Sequence, residues 1–211
     1  MKKPFILYGR PGSGSLAVQV ALEEAGADYQ RVWVGAEPAD IARYRELSPT
    51  GKVPALALPD GTVMFESAAI LIHLALLNPG AKLAPQPGTT RHASFLQWMC
   101  FLSANVYEAV LRIYYSARYS PRGETDAGLI REQGIADYLN HISLIARSLD
   151  PYVLGAEYSI ADAYLHMLVS WFPDRADLDS RLPALAAHSA RLAARPAVSK
   201  VEADHAAHST S

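Results

Sequence analysis

A proline interrupts an apolar run in Gly51-Lys52-Val53-Pro54-Ala55-Leu56, and Glu66-Ser67 follows shortly after. Proline has no N–H to give a sheet ladder, so a strand here must begin at a bend. With a cis Val53–Pro54 bond the bend is tight, and Val53 is expected to turn its backbone N–H and C=O outward. Such groups can pair with the backbone of a peptide-like molecule, as one strand adds to another. Glu66-Ser67 opens an apolar run at helical spacing: Ala68, Ile70, Leu71, Leu74, Ala75. A helix start offers unpaired N–H groups and the positive end of a dipole, which suits a carboxylate. Alone, an X-Pro is a turn and a serine at a helix start is a cap. Together they make a backbone clamp beside an anion seat.

The elements that must position these groups are legible. Pro4 to Tyr8 reads as a first strand. Pro11-Gly12-Ser13-Gly14-Ser15 is a loop, and Leu16, Val20 and Ala21 mark a first helix that stops at Gly26. Tyr29 to Val34 is the second strand, and Pro38 to Leu47 a second helix with proline in its first turn. Val53 to Leu58 and Thr62 to Phe65 form a hairpin about Asp60-Gly61, and a third helix runs from Ser67 to Leu77. The order is βαβαββα.

Asn78 to Gly88 holds three prolines and two glycines, the composition of a linker. Beyond it the period is helical. A long helix from Thr90 to about Arg118 carries Phe95, Met99, Leu102, Val106, Val110 and Ile113 on one stripe. Helices follow from Thr125 to Leu149, Ser159 to Trp171 and Pro183 to Arg195, ahead of an Ala-rich polar tail from about Ala203. Ser159 with Asp162 is a capping box, stapled by Tyr158; losing Ser159 is expected to cost about 1 kcal/mol and losing Asp162 somewhat less. The domains predicted are 1–79, a linker at 80–89, and an all-α unit at 90–211.

The 211 residues are 50% hydrophobic with a formal net charge of −2, so a sizeable core forms and no broad attraction to nucleic acid or anionic membrane is expected. No apolar run reaches the ~18 residues of a membrane helix. The opening stretch turns polar at Gly9-Arg10, too soon for a signal peptide. A single cysteine, Cys100, excludes an intrachain disulfide and is expected to pack as a small apolar residue. A cytoplasmic protein is expected. His205 and His208 lie three apart in the polar tail, which suits adventitious metal binding only, and no metal site is expected. His73 and His166 fall in apolar helical runs and read as satisfied core groups, while Lys2-Lys3 is a solvated end.

Gly-Lys-Val-Pro-Ala-Leu, Phe65-Glu66-Ser67-Ala68-Ala69-Ile70 and Tyr158-Ser159-Ile160-Ala161-Asp162-Ala163 together resemble the cytosolic glutathione transferase family, from Phe5 to about Arg195. The resemblance implies a thioredoxin-like α/β N-terminal domain followed by an all-α domain. It implies that glutathione is the co-substrate, with Lys52, Val53 and Pro54 along its backbone and Glu66 and Ser67 on its γ-glutamyl group. An ordinary thiol has a pKa of about 8.5, so a thiolate needs a donor such as a hydroxyl at a helix N-terminus. Three donors match family positions: Ser13 by Pro-Gly-Ser, Ser15 beside the cysteine of the bacterial cysteine-type class (whose position falls on Gly14), and Tyr8 by count from the tyrosine-type classes. With no cysteine in this loop, mixed-disulfide chemistry is disfavoured. The resemblance further implies a small apolar electrophile held against the first long helix of the second domain, by Tyr107, Tyr114, Tyr115 and Arg118, with Arg112 and Tyr119 on the same helix. Tyr107 stands where the cysteine-type class has histidine, so that contact does not carry over. A homodimer is implied. The alternatives are a non-catalytic ligand- or protein-binding member of the fold, or a glutathione-dependent isomerase, dehalogenase or peroxidase.

Overall fold

A computed structural model describes residues 3–209. Lys2 of the predicted solvated end lies outside them; Lys3 is exposed. The chain forms two compact units. One comprises the residues up to Pro87 together with those from Ala193 onward, and the other spans Gly88–Leu192. The predicted second domain ran to residue 211; its last stretch belongs instead to the first unit.

The first unit is thioredoxin-like. Strands β1 (Phe5–Gly9), β2 (Tyr29–Trp33), β3 (Ala55–Ala57) and β4 (Val63–Phe65) form a sheet in the order β2-β1-β3-β4. β1 is parallel to β2 and antiparallel to β3, which pairs antiparallel with β4. The hairpin closes at Asp60-Gly61, where Leu58 N–H donates to the Thr62 carbonyl at 2.8 Å. Helices α1 (Ser15–Glu24), α2 (Pro38–Arg45) and α3 (Ser67–Leu77) match the predicted set. Leu7 and Leu56 of the sheet, Val18 and Leu22 of α1, and Ile70, Leu71 and Leu74 of α3 are fully buried. The continuous burial of α1 from Ser15 to Leu22 needs cover on every side. α3 provides part of it and a last helix, α10 (Pro196–His208), provides more.

That helix corrects two expectations. The run predicted as one helix from Pro183 to Arg195 with a polar tail is two helices, parted at Arg195-Pro196, where proline takes the first helical turn. The polar look of the second hid a buried face of Val198, Val201 and His205.

The second unit is all-α. Helix α4 (Thr90–Phe101) leads through a π-helical stretch at Leu102–Tyr107 into α5 (Glu108–Tyr114). The predicted stripe from Phe95 to Ile113 is buried. Helices α6 (Ala127–Ala146), α7 (Ile160–Ser170), α8 (Arg175–Arg181) and α9 (Pro183–Ala193) complete it. α7 is buried from Ile160 through Val169 and forms the unit's centre, opened by the Ser159/Asp162 box. Cys100 is exposed, not packed: it follows the buried Met99, one helical step off the apolar stripe. Among the described residues no helix is long and apolar enough to cross a membrane.

Candidate functional site

Strand register brings the candidate segments of the first unit to one end of the sheet. Tyr8 of β1 pairs with Ala55 of β3, and Ala55 pairs with Phe65 of β4. Beyond this row β1 runs on into the serine loop, β3 is entered from Val53-Pro54, and β4 gives way to Glu66 and α3. The N-termini of α1 and α3 both begin here, so two positive dipole ends face the same region.

The Val53–Pro54 peptide is cis. Val53 is half-buried and lies outside the ladder, which starts at Ala55. The chain ahead of it is held by side chains. Tyr44 Oη–H donates to the Lys52 carbonyl at 3.1 Å and Ser48 Oγ–H to the same oxygen at 3.3 Å, while Lys52 N–H donates to Thr50 Oγ1 at 3.2 Å. Tyr44 and Ser48 are buried, and burial raises the Tyr44 pKa, which keeps it a donor. These supports escaped the sequence reading; the hydroxyl-rich turn Ser48-Pro49-Thr50 was their one signal. The Lys52 side chain is exposed.

Glu66 has φ 70° and ψ 107° and makes no side-chain cap to α3. A non-glycine residue there carries roughly 1–3 kcal/mol of backbone strain, of the kind found at ligand clamps. Its carbonyl accepts the first helical bond, from Ile70 N–H at 3.0 Å, while its side chain is exposed. Ser67, the first helical residue, is buried.

The two serines of the loop are in mutual contact, Oγ to Oγ 2.9 Å. Both reach the Arg10 carbonyl, Ser13 at 2.8 Å and Ser15 at 3.2 Å, and Ser13 Oγ accepts weakly from Ser15 N–H at 3.3 Å. They differ in access: Ser13 is half-buried, whereas Ser15 is fully buried. Tyr8 is half-buried with its ring 6.1 Å from that of Tyr44. Gly9 explains the tight seating of Ser15. A Cβ at residue 9 would lie 2.4 Å from Ser15 Oγ and 2.5 Å from Ser15 Cβ, so something must shift. Gly9→Ala is therefore expected to displace the start of α1 and destabilise by about 1–3 kcal/mol, read as a lower urea midpoint. An unchanged midpoint would mean that the loop tolerates the methyl.

In the second unit Tyr107 closes the π-helical stretch, its ring edge-on to Trp171 at 5.4 Å and 6.5 Å from Tyr164. Such stretches re-aim side chains and recur at functional sites. Tyr114 Oη–H donates to the Trp171 carbonyl at 2.6 Å. Tyr115 is exposed under the Arg118 guanidinium, 4.1 Å from its ring centre, and Tyr119 is exposed as well. Arg112 is engaged by Glu108 and Asp137, both at 2.8 Å, so it is not available to an anionic substrate as Arg118 is.

His166 is buried and His73 half-buried. His205, expected in a solvated tail, is buried against the first unit, with Nδ1 3.1 Å from Gly12 N. The signal was available in Gln19: an amide inside an otherwise apolar helix needs a partner, and His205 Nε2 is 3.1 Å from its Oε1. Among the described residues no three His, Cys, Asp or Glu side chains gather as a metal-binding group.

Residues 15–77 match the family model described as glutathione S-transferase, N-terminal domain. The glutathione S-transferase GstA of Escherichia coli O157:H7 is 29% identical over 91% of this chain and 94% of its own. The GST-like protein YncG of Escherichia coli K12 is 31% identical over 79% of this chain and 82% of its own. A glutathione transferase homologue from Sulfitobacter, solved with bound glutathione, superposes with a TM-score of 0.87 at 28% identity, covering 97% of this chain and 99% of that one. With this likeness along nearly its whole length, the chain belongs to the glutathione S-transferase family.

Proposed function

We propose that this glutathione transferase binds glutathione at the Tyr8–Ala55–Phe65 end of the sheet and transfers its sulfur to a small apolar electrophile. One observation carries the reading: a strand entered through a cis proline, a helix tip with no side-chain cap from Glu66, and a half-buried serine converge at that end. Val53 pairs its backbone with the cysteinyl unit, and Lys52 reaches the same molecule. Ser67 and the N-terminus of α3 receive the γ-glutamyl carboxylate, and the exposed Glu66 carboxylate receives its amino group. Ser13 donates to the thiolate. To do so its hydroxyl turns away from the Arg10 carbonyl, which Ser15 can then occupy as donor, so Ser15 supports and does not contact sulfur. The electrophile is held by Tyr107, Tyr114 and Tyr115, with Arg118 for any anionic group.

We further infer a cytoplasmic homodimer acting in detoxification. The large apolar side chains Phe65, Leu76 and Leu77 of the first unit are exposed and would be covered by a second copy.

Calorimetric titration with glutathione, followed by turnover of a chlorodinitrobenzene-type electrophile, tests the reading. Saturable heat is expected, and Ser67→Ala is expected to weaken binding about tenfold, the loss of one hydrogen bond to a charged group. Binding without turnover would favour ligand carriage or a narrow-substrate isomerase, dehalogenase or peroxidase. Absence of both would leave the protein-binding alternative.

A further inference from the structure

α10 lies antiparallel along α1. At one end Arg195 grips Glu24 through two bonds of 2.8 and 2.9 Å, and Lys200 meets Glu23 at 2.8 Å. Two acids at the C-terminal end of α1 oppose its dipole, and these cations offset them. At the other end His205, 3% exposed, reaches the loop ahead of α1. Its Nδ1 is 3.1 Å from the N–H of Gly12, whose φ of +64° suits glycine. Its ring stands edge-on to Trp33 at 5.1 Å.

The surrounding bonds fix where the imidazole proton sits. Gln19 Nε2 donates to Asp204 Oδ2 at 2.8 Å and to Tyr29 Oη at 3.1 Å, so its Oε1 is the atom left facing His205 Nε2. Nε2 therefore carries the hydrogen, and Nδ1 is a lone pair aimed at Gly12 N–H. The ionisable groups around the ring are Arg31 and Tyr29 on β2, Asp204 and His208 on α10, and Glu23 behind Tyr29. Burial first, then Arg31 and His208, hold the His205 pKa down to about 4, so the ring is neutral near pH 7.

We propose that His205 is a positioning residue for the thiol site. Through Nδ1 it fixes the Pro11–Gly12 peptide, and that peptide sets the direction in which the next residue, Ser13, presents its hydroxyl. The inference rests on Ser13 as the thiolate donor. It makes the C-terminal helix part of the catalytic apparatus without bringing it to the sulfur.

The test uses the full chain. His205→Phe keeps a ring against Trp33 but removes the acceptor. It is expected to raise the apparent thiol pKa of bound glutathione, read from the ultraviolet thiolate band, by about one unit. It is also expected to lower kcat about tenfold, with KM for glutathione within about threefold. His205→Asn places an amide oxygen near the Nδ1 position and is expected to recover most of both. Should His205→Phe fail to fold, Gln19→Glu serves. A carboxylate at Nε2 raises the ring's pKa, Nδ1 bears hydrogen below it, and activity gains a second acid limb beside the one set by the thiol. A parent protein with no thiolate band overturns the Ser13 reading itself. A normal band in the parent that His205→Phe or Gln19→Glu leaves unmoved overturns the role of His205 alone. So does equal loss in His205→Phe and His205→Asn.

Discussion

Asp162→Ala is expected to lower stability by about 3–5 kcal/mol, the range for removing one partner of a buried polar pair. The Asp162 carboxylate is fully buried at the head of α7. Oδ2 accepts from Ser159 N–H at 2.8 Å and from Ser159 Oγ–H at 3.2 Å, and Oδ1 accepts from Val153 N–H at 2.8 Å and lies 2.9 Å from His188 Nε2. His188 is itself fully buried. Alanine would strand two backbone donors and an imidazole where no water reaches them, each worth about 1–3 kcal/mol and not additive. Ser159→Ala removes one hydroxyl and is expected to cost about 1 kcal/mol. The ranking is thus the reverse of the one expected from a capping box alone, because the sequence showed the local pair and not the two distant donors. Urea unfolding of the two variants decides it: a midpoint lowered more by Ser159→Ala than by Asp162→Ala would overturn the account. Asparagine should not rescue, since its NH₂ must face one of the backbone N–H groups.

Ser13→Ala is expected to reduce kcat/KM about a hundredfold with little change in fold. Removing a preorganised donor from a developing or fixed anion costs about 10²–10³ in rate. Ser13 is the accessible member of the serine pair, while Ser15 is sealed beneath it. Ser15→Ala is expected to cost less than about tenfold, through looser aim of its neighbour and not through loss of a sulfur contact. Thiolate absorbance of bound glutathione against pH checks both. A band that persists unchanged in Ser13→Ala would move the assignment to Tyr8 or Ser15.

The βαβαββα order was readable because each element has its own local marker: prolines at Pro38 and Pro54, Asp60-Gly61 at the hairpin, and Gly26 after α1. α3 was legible to the residue, since its apolar run starts abruptly at Ser67 and ends at Asn78. What failed to show was whatever depends on distant partners. The π-helical stretch leaves the stripe from Phe95 to Ile113 intact, so its extra residue per turn has no apolar signature. α10 presents charges to Glu23, Glu24 and Arg31, so its sequence looks solvated although its face is covered. His205 looked like a tail residue for the same reason. Of the candidate site, Val53, Glu66 and Ser67 stood out as candidates by their own spacing. Tyr44, Ser48 and Gln19 work through bonds to main chain or to remote side chains and carry no motif.

The first unit is discontinuous, with its sheet made early and α10 made last. During synthesis the sheet and α1 emerge while the side of α1 bearing Gln19, Glu23 and Glu24 still lacks its cover. This unit cannot finish folding as a newborn N-terminal fragment; the second unit must be translated before the ribosome delivers the piece that completes it.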